Sequence, residues 1–309
     1  MNGRSQLTLR FGALWRNYLP DISLFLSTVI WGLSFIIMKV MLGSQISPYL
    51  FVFLRFAIAT ILLYPFCRKS LPGLSIGGFR AGAALGILIY AGFITQAVGI
   101  TFTTASKSAF ITGVSSIFVP VFLFLHRRRL PEAYVVVAIL IAAAGMFLLT
   151  GPAGGGFNLG DFLTLICAVT FAAQIYTMGL ATARYDTLAL TMVEIVATAG
   201  ISGMMLFFAP VYFIFSWWNV AVLLFITVFG TVLPLLAQTW AQKKTSSVRA
   251  GLIFSAEPVF AYIFASILLG ESFNFIQKAG GAVIIMAVIS SELIPLFMAR
   301  SAQKWRKPT

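Results

Sequence analysis

The chain has 309 residues, of which 60% are apolar and only 9% charged, and its mean hydropathy is +0.99. An ordinary soluble domain is about 45–50% apolar, so a water-soluble globule of this length could not hide so much apolar surface, and disorder is excluded on the same ground. A formal charge of +13 would point to nucleic acid in a soluble protein, but membranes sort basic residues for a different reason, which has to be tested first.

Apolar runs bounded by Gly, Pro and charge mark ten helices, each near the roughly 20 residues that a bilayer demands. In chain order they are Ser23–Leu42, Pro48–Phe66, Ala81–Thr101, Ser108–Leu125 and Ala133–Thr150, then Phe162–Ala181, Thr187–Phe208, Val220–Ala241, Ala250–Leu269 and Phe275–Ile294. The first run follows Arg4, Arg10 and Arg16. It is too long for a signal-peptide core and lacks a small-x-small site at its end, so it reads as a retained span. Pro48 opens the second helix, where its missing N–H is harmless. Cys67 and Cys167 lie in or beside apolar runs without metal-ligand spacing and read as small buried residues, with no disulfide expected. Gly151–Gly156 is a glycine-rich break at the midpoint.

Basic residues set orientation. With both termini in the cytoplasm, seventeen of the 21 Lys and Arg fall on the cytoplasmic side, in the N-terminal segment, the Arg68–Arg80 loop, the Arg127-Arg128-Arg129 run, Arg184, the Lys243–Arg249 loop and the tail. Lys107 and Lys278 fall outside, and Lys39 and Arg55 within spans. An odd number of spans breaks this alternation. The imbalance also accounts for the net charge without any nucleic acid. His126, which opens the arginine run, reads as an interfacial anchor.

Each half contains five spans, and the halves resemble each other. Val119-Pro120-Val121-Phe122 and a following Leu130-Pro131-Glu132 match Glu257-Pro258-Val259-Phe260 and Leu269-Gly270-Glu271. Thr104-Ala105-Ser106 matches Thr245-Ser246-Ser247, Ala109 matches Ala250, and Ser34-Phe35 matches Thr170-Phe171. Five is odd, so the second copy must cross the membrane in the opposite sense. Inverted repeats are a transporter architecture whose halves meet at the midplane, and Pro-interrupted spans in matching positions point to the site there.

These residues carry a family resemblance. Trp31-Gly32 with Phe35 and Lys39, Arg55-Phe56, Thr104 to Phe110 with Pro120, Thr245-Ser246 to Arg249-Ala250, Glu257 to Phe260 and Gly270-Glu271 together resemble the EamA-type transporters of the drug/metabolite transporter superfamily. The resemblance runs from about Asp21 to Leu296 and rests on order and spacing rather than on one motif. It implies an all-α membrane protein of ten helices in two inverted-topology five-helix repeats. The expected divisions are a cytoplasmic segment 1–20, a first repeat 21–150, a glycine-rich external linker 151–160, a second repeat 161–296 and a basic tail 297–309. It also implies a multi-pass protein of a bacterial cytoplasmic membrane that moves small metabolites, amino acids or drugs, mostly outward. One departure is that Val119 stands where the second half has Glu257.

Ionisable residues within spans must face the bundle interior, water or a partner, because a charge in lipid costs at least about 2.5–3.5 kcal/mol. Four qualify: Lys39, Arg55, Glu194 and Glu257. Glu257 precedes Pro258, which withdraws a hydrogen bond from the carbonyl of Phe254. An acid beside such a kink binds a cation or proton, or else caps a polar network that fixes a helix pair. Arg55 either meets an anionic group or anchors to backbone carbonyls of a neighbouring helix. Lys39 reads as snorkelling from the outer end of its helix. Gln96 and Gln238 occupy the third span of each half and, with Tyr90, Pro120 and Trp31, complete the expected substrate cavity; packing is the competing role for each. Gly82 and Gly86, four apart, read as a close helix contact.

No phosphate-binding loop, metal cluster or nucleophile elbow is present in the sequence. Neither cofactor nor metal is therefore expected, and uphill transport needs proton coupling or exchange. The partners expected are a small-molecule substrate and the bilayer. The leading reading is a secondary transporter working by alternating access, its outward direction taken from the resemblance. Two others stand beside it: a membrane enzyme acting on lipid-linked substrates, and a non-transporting membrane subunit.

Overall fold

The computed structural model of the chain describes residues 3–126, 128, 133–150 and 155–304. Arg127, Arg129 to Glu132, Gly151 to Gly154, Arg306 and Lys307, used above, lie outside the described residues. Ten helical segments follow one another: α1 (Gly3–Ser44), α2 (Pro48–Cys67), α3 (Ile76–Phe102), α4 (Ala105–His126) and α5 (Ala133–Thr150), then α6 (Leu159–Thr182), α7 (Thr187–Met205), α8 (Trp217–Gln242), α9 (Ser247–Leu268) and α10 (Phe275–Lys304). Eight of them are long and apolar enough to cross a bilayer, and α5 and α10 contain the shorter apolar stretches Val136–Leu149 and Phe275–Ala287. The start of α1 and the end of α10 share one face, called here the tail face; the opposite one is the far face.

Helix ends fall where local chemistry puts them. Ser75, Thr104, Asn158, Asp186, Ser216 and Ser246 cap their helices by accepting from the backbone N–H three residues on. Asp161 returns the favour to the N–H of Asn158, closing a capping box at the start of α6. Between α7 and α8 the chain is extended, and an isolated bridge joins Phe213 to Ile46 in the α1–α2 turn. Phe207, Phe208, Trp217, Trp218 and Phe275, all exposed, gather at the far-face ends of α7, α8 and α10. They form the aromatic girdle expected at a membrane interface.

Packing follows the repeat. Helix α1 packs on α8 and α9, and α6 packs on α3 and α4; α2 meets α7, α4 meets α9, and α5 meets α10. Exchanging helices five apart maps this set of contacts onto itself, as two inverted five-helix repeats require. Gly82 and Gly86 of α3 do make a close helix contact. A Cβ at Gly86 would lie 2.6 Å from the Ala197 Cβ and 2.7 Å from the carbonyl oxygen of Glu194, and one at Gly82 would lie 2.7 Å from the Val193 Cβ.

Three spans are interrupted. Helix α4 breaks at Val114 and α9 at Ser255–Ala256. Helix α8 carries a π-helical turn, Val228–Val232, inside it. The two prolines matched in the sequence act differently. Pro258 lies in the first turn of the restarted helix, whereas Pro120 lies inside the second segment of α4, beyond its break. A proline cannot donate to the residue four before it, so it loosens the turn ahead of itself.

Candidate functional site

The breaks in α4 and α9 face each other at mid-depth. Ser116 of α4 donates to the carbonyl of Gly251 in α9 at 2.7 Å. Gly113 leaves room for Pro258, whose Cγ would stand 2.6 Å from a Cβ there. Beside this junction lies a cavity lined from six helices: Trp31 and Ser34 of α1; Ile89, Phe93 and Gln96 of α3; Thr112 and Ser115 of α4; Phe171, Gln174 and Ile175 of α6; Leu235 and Gln238 of α8; Phe254 and Glu257 of α9. It is a small cavity of about 40 Å³.

The cavity brings together four of the expected residues, Trp31, Gln96, Gln238 and Glu257. Glu257 is the first residue of the restarted helix. Its carboxylate therefore sits at a helix N-terminus, where the unsatisfied N–H groups favour negative charge. The other four expected residues are not in the lining, and each has a packing reason. Arg55 is fully buried against α8: its Nη2 donates to the carbonyl of Gly230 at 2.7 Å and its Nε to the Thr231 hydroxyl. Pro258 turns toward Gly113. Pro120 is buried within α4. Tyr90 packs against the main apolar cluster.

The Arg55 contact explains the π-turn. Pro234 has no N–H to give the carbonyl of Gly230 four residues earlier. That oxygen instead accepts from Arg55 and from the indole Nε1 of Trp31, the latter at 3.0 Å. One proline in α8 thus orients both the buried arginine and the cavity tryptophan.

Two of the lining residues, Gln174 and Gln238, belong to a polar chain that runs back from the cavity and that the sequence reading missed. Glu194 Oε1 accepts from Gln174 Nε2 at 2.8 Å, and Gln174 Oε1 accepts from Gln238 Nε2 at 3.0 Å. Gln238 Nε2 also donates to Gln242 Oε1 at 3.0 Å, and Gln242 Nε2 ends on the carbonyl of Ile175 at 2.9 Å. The spacing of Gln238 and Gln242, four apart on one helix face, is the only sequence signal for it.

Two ion pairs lie above and below. On the far face Lys107 meets Asp161 at 3.0 Å with side chains 5% and 0% exposed. Thr103 donates its hydroxyl to the same carboxylate at 2.7 Å. Glu271 accepts from the N–H groups of Ala105 and Ser106 at 2.9 and 3.0 Å. Half-buried Lys39 donates its Nζ to the carbonyls of Ile100 and Thr103, at 2.9 and 2.6 Å, which end α3 and so lack helical partners. On the tail face Arg249 pairs with Asp21, with side chains 56% and 20% exposed. The pairs are related by the repeat. Lys107 and Arg249 each follow by three residues the capping residue of their helix, Thr104 or Ser246, and Asp21 and Asp161 each open the first span of a repeat. Lys107 and Asp161 therefore join the buried charges that the sequence reading limited to four.

The architecture defines a multi-pass helical membrane protein built from an inverted repeat. A family model described as the EamA-like transporter family matches residues 19–151 and again residues 158–291. The chain belongs to that family, and it is a membrane transporter. A relative from Archaeoglobus fulgidus, called an uncharacterized transporter, is 31% identical over 269 residues, covering 87% of this chain and 84% of the relative. The uncharacterized transporter YetK of Bacillus subtilis is 24% identical, covering 85% of this chain and 84% of the relative. One solved crystal structure matches with a TM-score of 0.63 at 14% identity, covering 89% of this chain and 96% of that one, which is a likeness of fold alone.

Proposed function

We propose that this chain is a secondary transporter that exports small organic molecules by alternating access, with the central cavity as its substrate site. The observation that carries the reading is the position of that cavity. It lies at the two facing helix breaks, between two repeat-related ion pairs, one desolvated and one exposed. In one state the far-face pair is sealed and the tail-face pair is loose; rocking the halves exchanges these roles, as inverted repeats permit. The two halves are residues 21–150 and 161–296, flanked by the segments 1–20 and 297–309 and joined by 151–160. The tail face is cytoplasmic, in a bacterial cytoplasmic membrane, because the basic residues of the loops gather there. The transmembrane gradient or an exchanged solute supplies the energy.

The test is flux. Purified protein in liposomes is screened with metabolites, amino acids and drugs, with and without a pH gradient. Saturable flux that fails when Trp31 and Gln238 are replaced supports the cavity. Absence of flux for every class, with product formed from a labelled lipid-linked substrate, would move the chain to the enzyme reading.

A further inference from the structure

We infer that a groove between α1 and α9 at the tail face holds one anionic phospholipid, its phosphate on Arg249 and an acyl chain along the groove floor. The site is separate from the central cavity and does not depend on what that cavity carries.

The groove encloses about 350 Å³ and is lined by Asp21, Ile22 and Phe25 of α1 and by Leu252, Ile253 and Ala256 of α9. Both helices cross the membrane, over Tyr18–Ser44 and Ser247–Leu268. Asp21 and Arg249 thus lie within about one turn of the start of a span, at the level of lipid headgroups. Ala256 follows Arg249 by seven residues, which is about 10 Å deeper at 1.5 Å per residue. Ile22 and Phe25 are exposed, whereas Leu24 and Thr28, on the side of α1 that carries Trp31, are buried. The groove therefore runs down the outside of the bundle, where acyl chains rather than water surround it.

The repeat shows that this space is not a general feature of the fold. Leu252, Ile253 and Ala256 follow Arg249 by the same steps that separate Phe110, Ile111 and Val114 from Lys107. The far-face three are buried, Phe110 against the rings of Tyr262 and Phe273 with centroids 6.5 and 5.9 Å away. The tail-face three are only half-buried. Protein fills the first place and leaves the second to another molecule.

Charge says which molecule. Arg249 commits one nitrogen, Nη2, to Asp21; its Nε and Nη1 make no hydrogen bond, and a planar guanidinium fork matches phosphate. Lys243 and Lys244, both exposed, stand in the loop just before α9, and Lys244 Nζ lies 4.0 Å from the centroid of the Trp240 ring. Asp21 is the single acid in the lining and is already paired. A basic mouth over an apolar floor matches the two ends of an anionic lipid. A soluble phosphate would use the mouth and leave the floor empty.

The experiment titrates the full chain in detergent with dilauroylphosphatidylglycerol or dilauroylphosphatidylcholine, which share their acyl chains, and counts bound lipid by native mass spectrometry. The expected result is one phosphatidylglycerol bound at least about fivefold tighter than phosphatidylcholine, the factor that one basic residue near a membrane surface supplies. Arg249→Gln should remove most of that preference. Arg68→Gln, the same charge lost from the end of α2 on the same face, should leave it unchanged. Asp21→Asn, which removes the competitor for Arg249, should strengthen phosphatidylglycerol, and Ala256→Leu, which fills the groove, should weaken both lipids several-fold. Equal binding of the two lipids by the unaltered protein overturns the inference. So does an equal loss in Arg249→Gln and Arg68→Gln, which would mean bulk charge, or undiminished binding by a folded Ala256→Leu protein, which would put the acyl chain elsewhere. Displacement of the lipid by excess glycerol phosphate would make the mouth a site for soluble anions and overturn the lipid. If Arg249→Gln fails to fold, the contrast between the two lipids together with Ala256→Leu decides.

Discussion

Arg55 and Glu194 occupy equivalent places, each seven residues after the first residue of its helix, yet they do different things because their neighbours differ. Arg55 meets the carbonyl freed by Pro234 and the Thr231 hydroxyl. Replacing it with Met leaves that carbonyl served by the Trp31 indole alone, deep in the bundle. A loss of about 1–3 kcal/mol is expected, read as a lowered unfolding midpoint in detergent, with Arg55→Lys intermediate because one ammonium cannot reproduce the planar fork. Glu194 has a milder dependence on charge. Glu194→Gln keeps an acceptor for Gln174, so stability should change by less than about 1 kcal/mol. Glu194→Leu strands the Gln174 amide and should cost about 1–3 kcal/mol. Equal midpoints for the two variants would remove the hydrogen-bonded chain as a structural element. Both residues could be read from the sequence as buried charges, because an ionisable group in an apolar run has nowhere else to go. Their partners could not, since a span has several inward faces and only packing decides which neighbour fills each.

At the scale of the helix, the interruptions are the informative feature. Pro234→Ala restores an N–H opposite the Gly230 carbonyl, which then competes with Arg55 and Trp31 for that oxygen. The expected outcome is slower amide exchange across Val228–Val232, measured by hydrogen exchange. Unchanged exchange would mean that the π-turn is set by the surrounding helices rather than by the proline. At the α3–α7 contact, Gly86→Val puts branched carbons where Ala197 and the backbone of α7 already stand. A cost of about 1–3 kcal/mol from overpacking is expected, seen as reduced yield of folded protein. The paired small residues were legible because spacing by four puts both on one helix face. The places of the breaks were less so: Pro120 and Pro258 match in sequence, but only Pro258 begins a new helical segment.

For the molecule as a whole, the two ion pairs carry the prediction. The Lys107–Asp161 pair is desolvated, so removing one partner leaves a buried charge, at a cost of about 3–5 kcal/mol. The Asp21–Arg249 pair is exposed and is worth about 0.2–1 kcal/mol. Lys107→Met alone should therefore lower stability sharply, and the double variant Lys107→Met, Asp161→Asn should recover most of it while favouring a conformation open at the far face. Asp21→Asn should do little to stability. Labelling of a cysteine placed at Ser34, in a chain whose Cys67 and Cys167 are replaced, reports which face admits reagent. Labelling from the far face no faster in the double variant than in the parent would sink the idea that this pair is a seal.

The sequence by itself determined the ten spans, the side on which the basic loops gather and the existence of an inverted repeat. Each of these follows from local transfer energies, from the parity of five crossings and from the order of residues along one chain. It also determined that Glu257, as a charge within a span, had to face away from lipid, and it offered Gln96, Gln238 and Trp31 as candidates for the same interior. Tertiary structure alone decided that these four share a cavity with Gln174 and Phe254 while Arg55, Tyr90, Pro120 and Pro258 do not, and that Lys107 finds Asp161. Such pairings join residues tens to hundreds of positions apart, and they are fixed by which helix faces come within hydrogen-bonding distance, a property of packing that no local pattern carries.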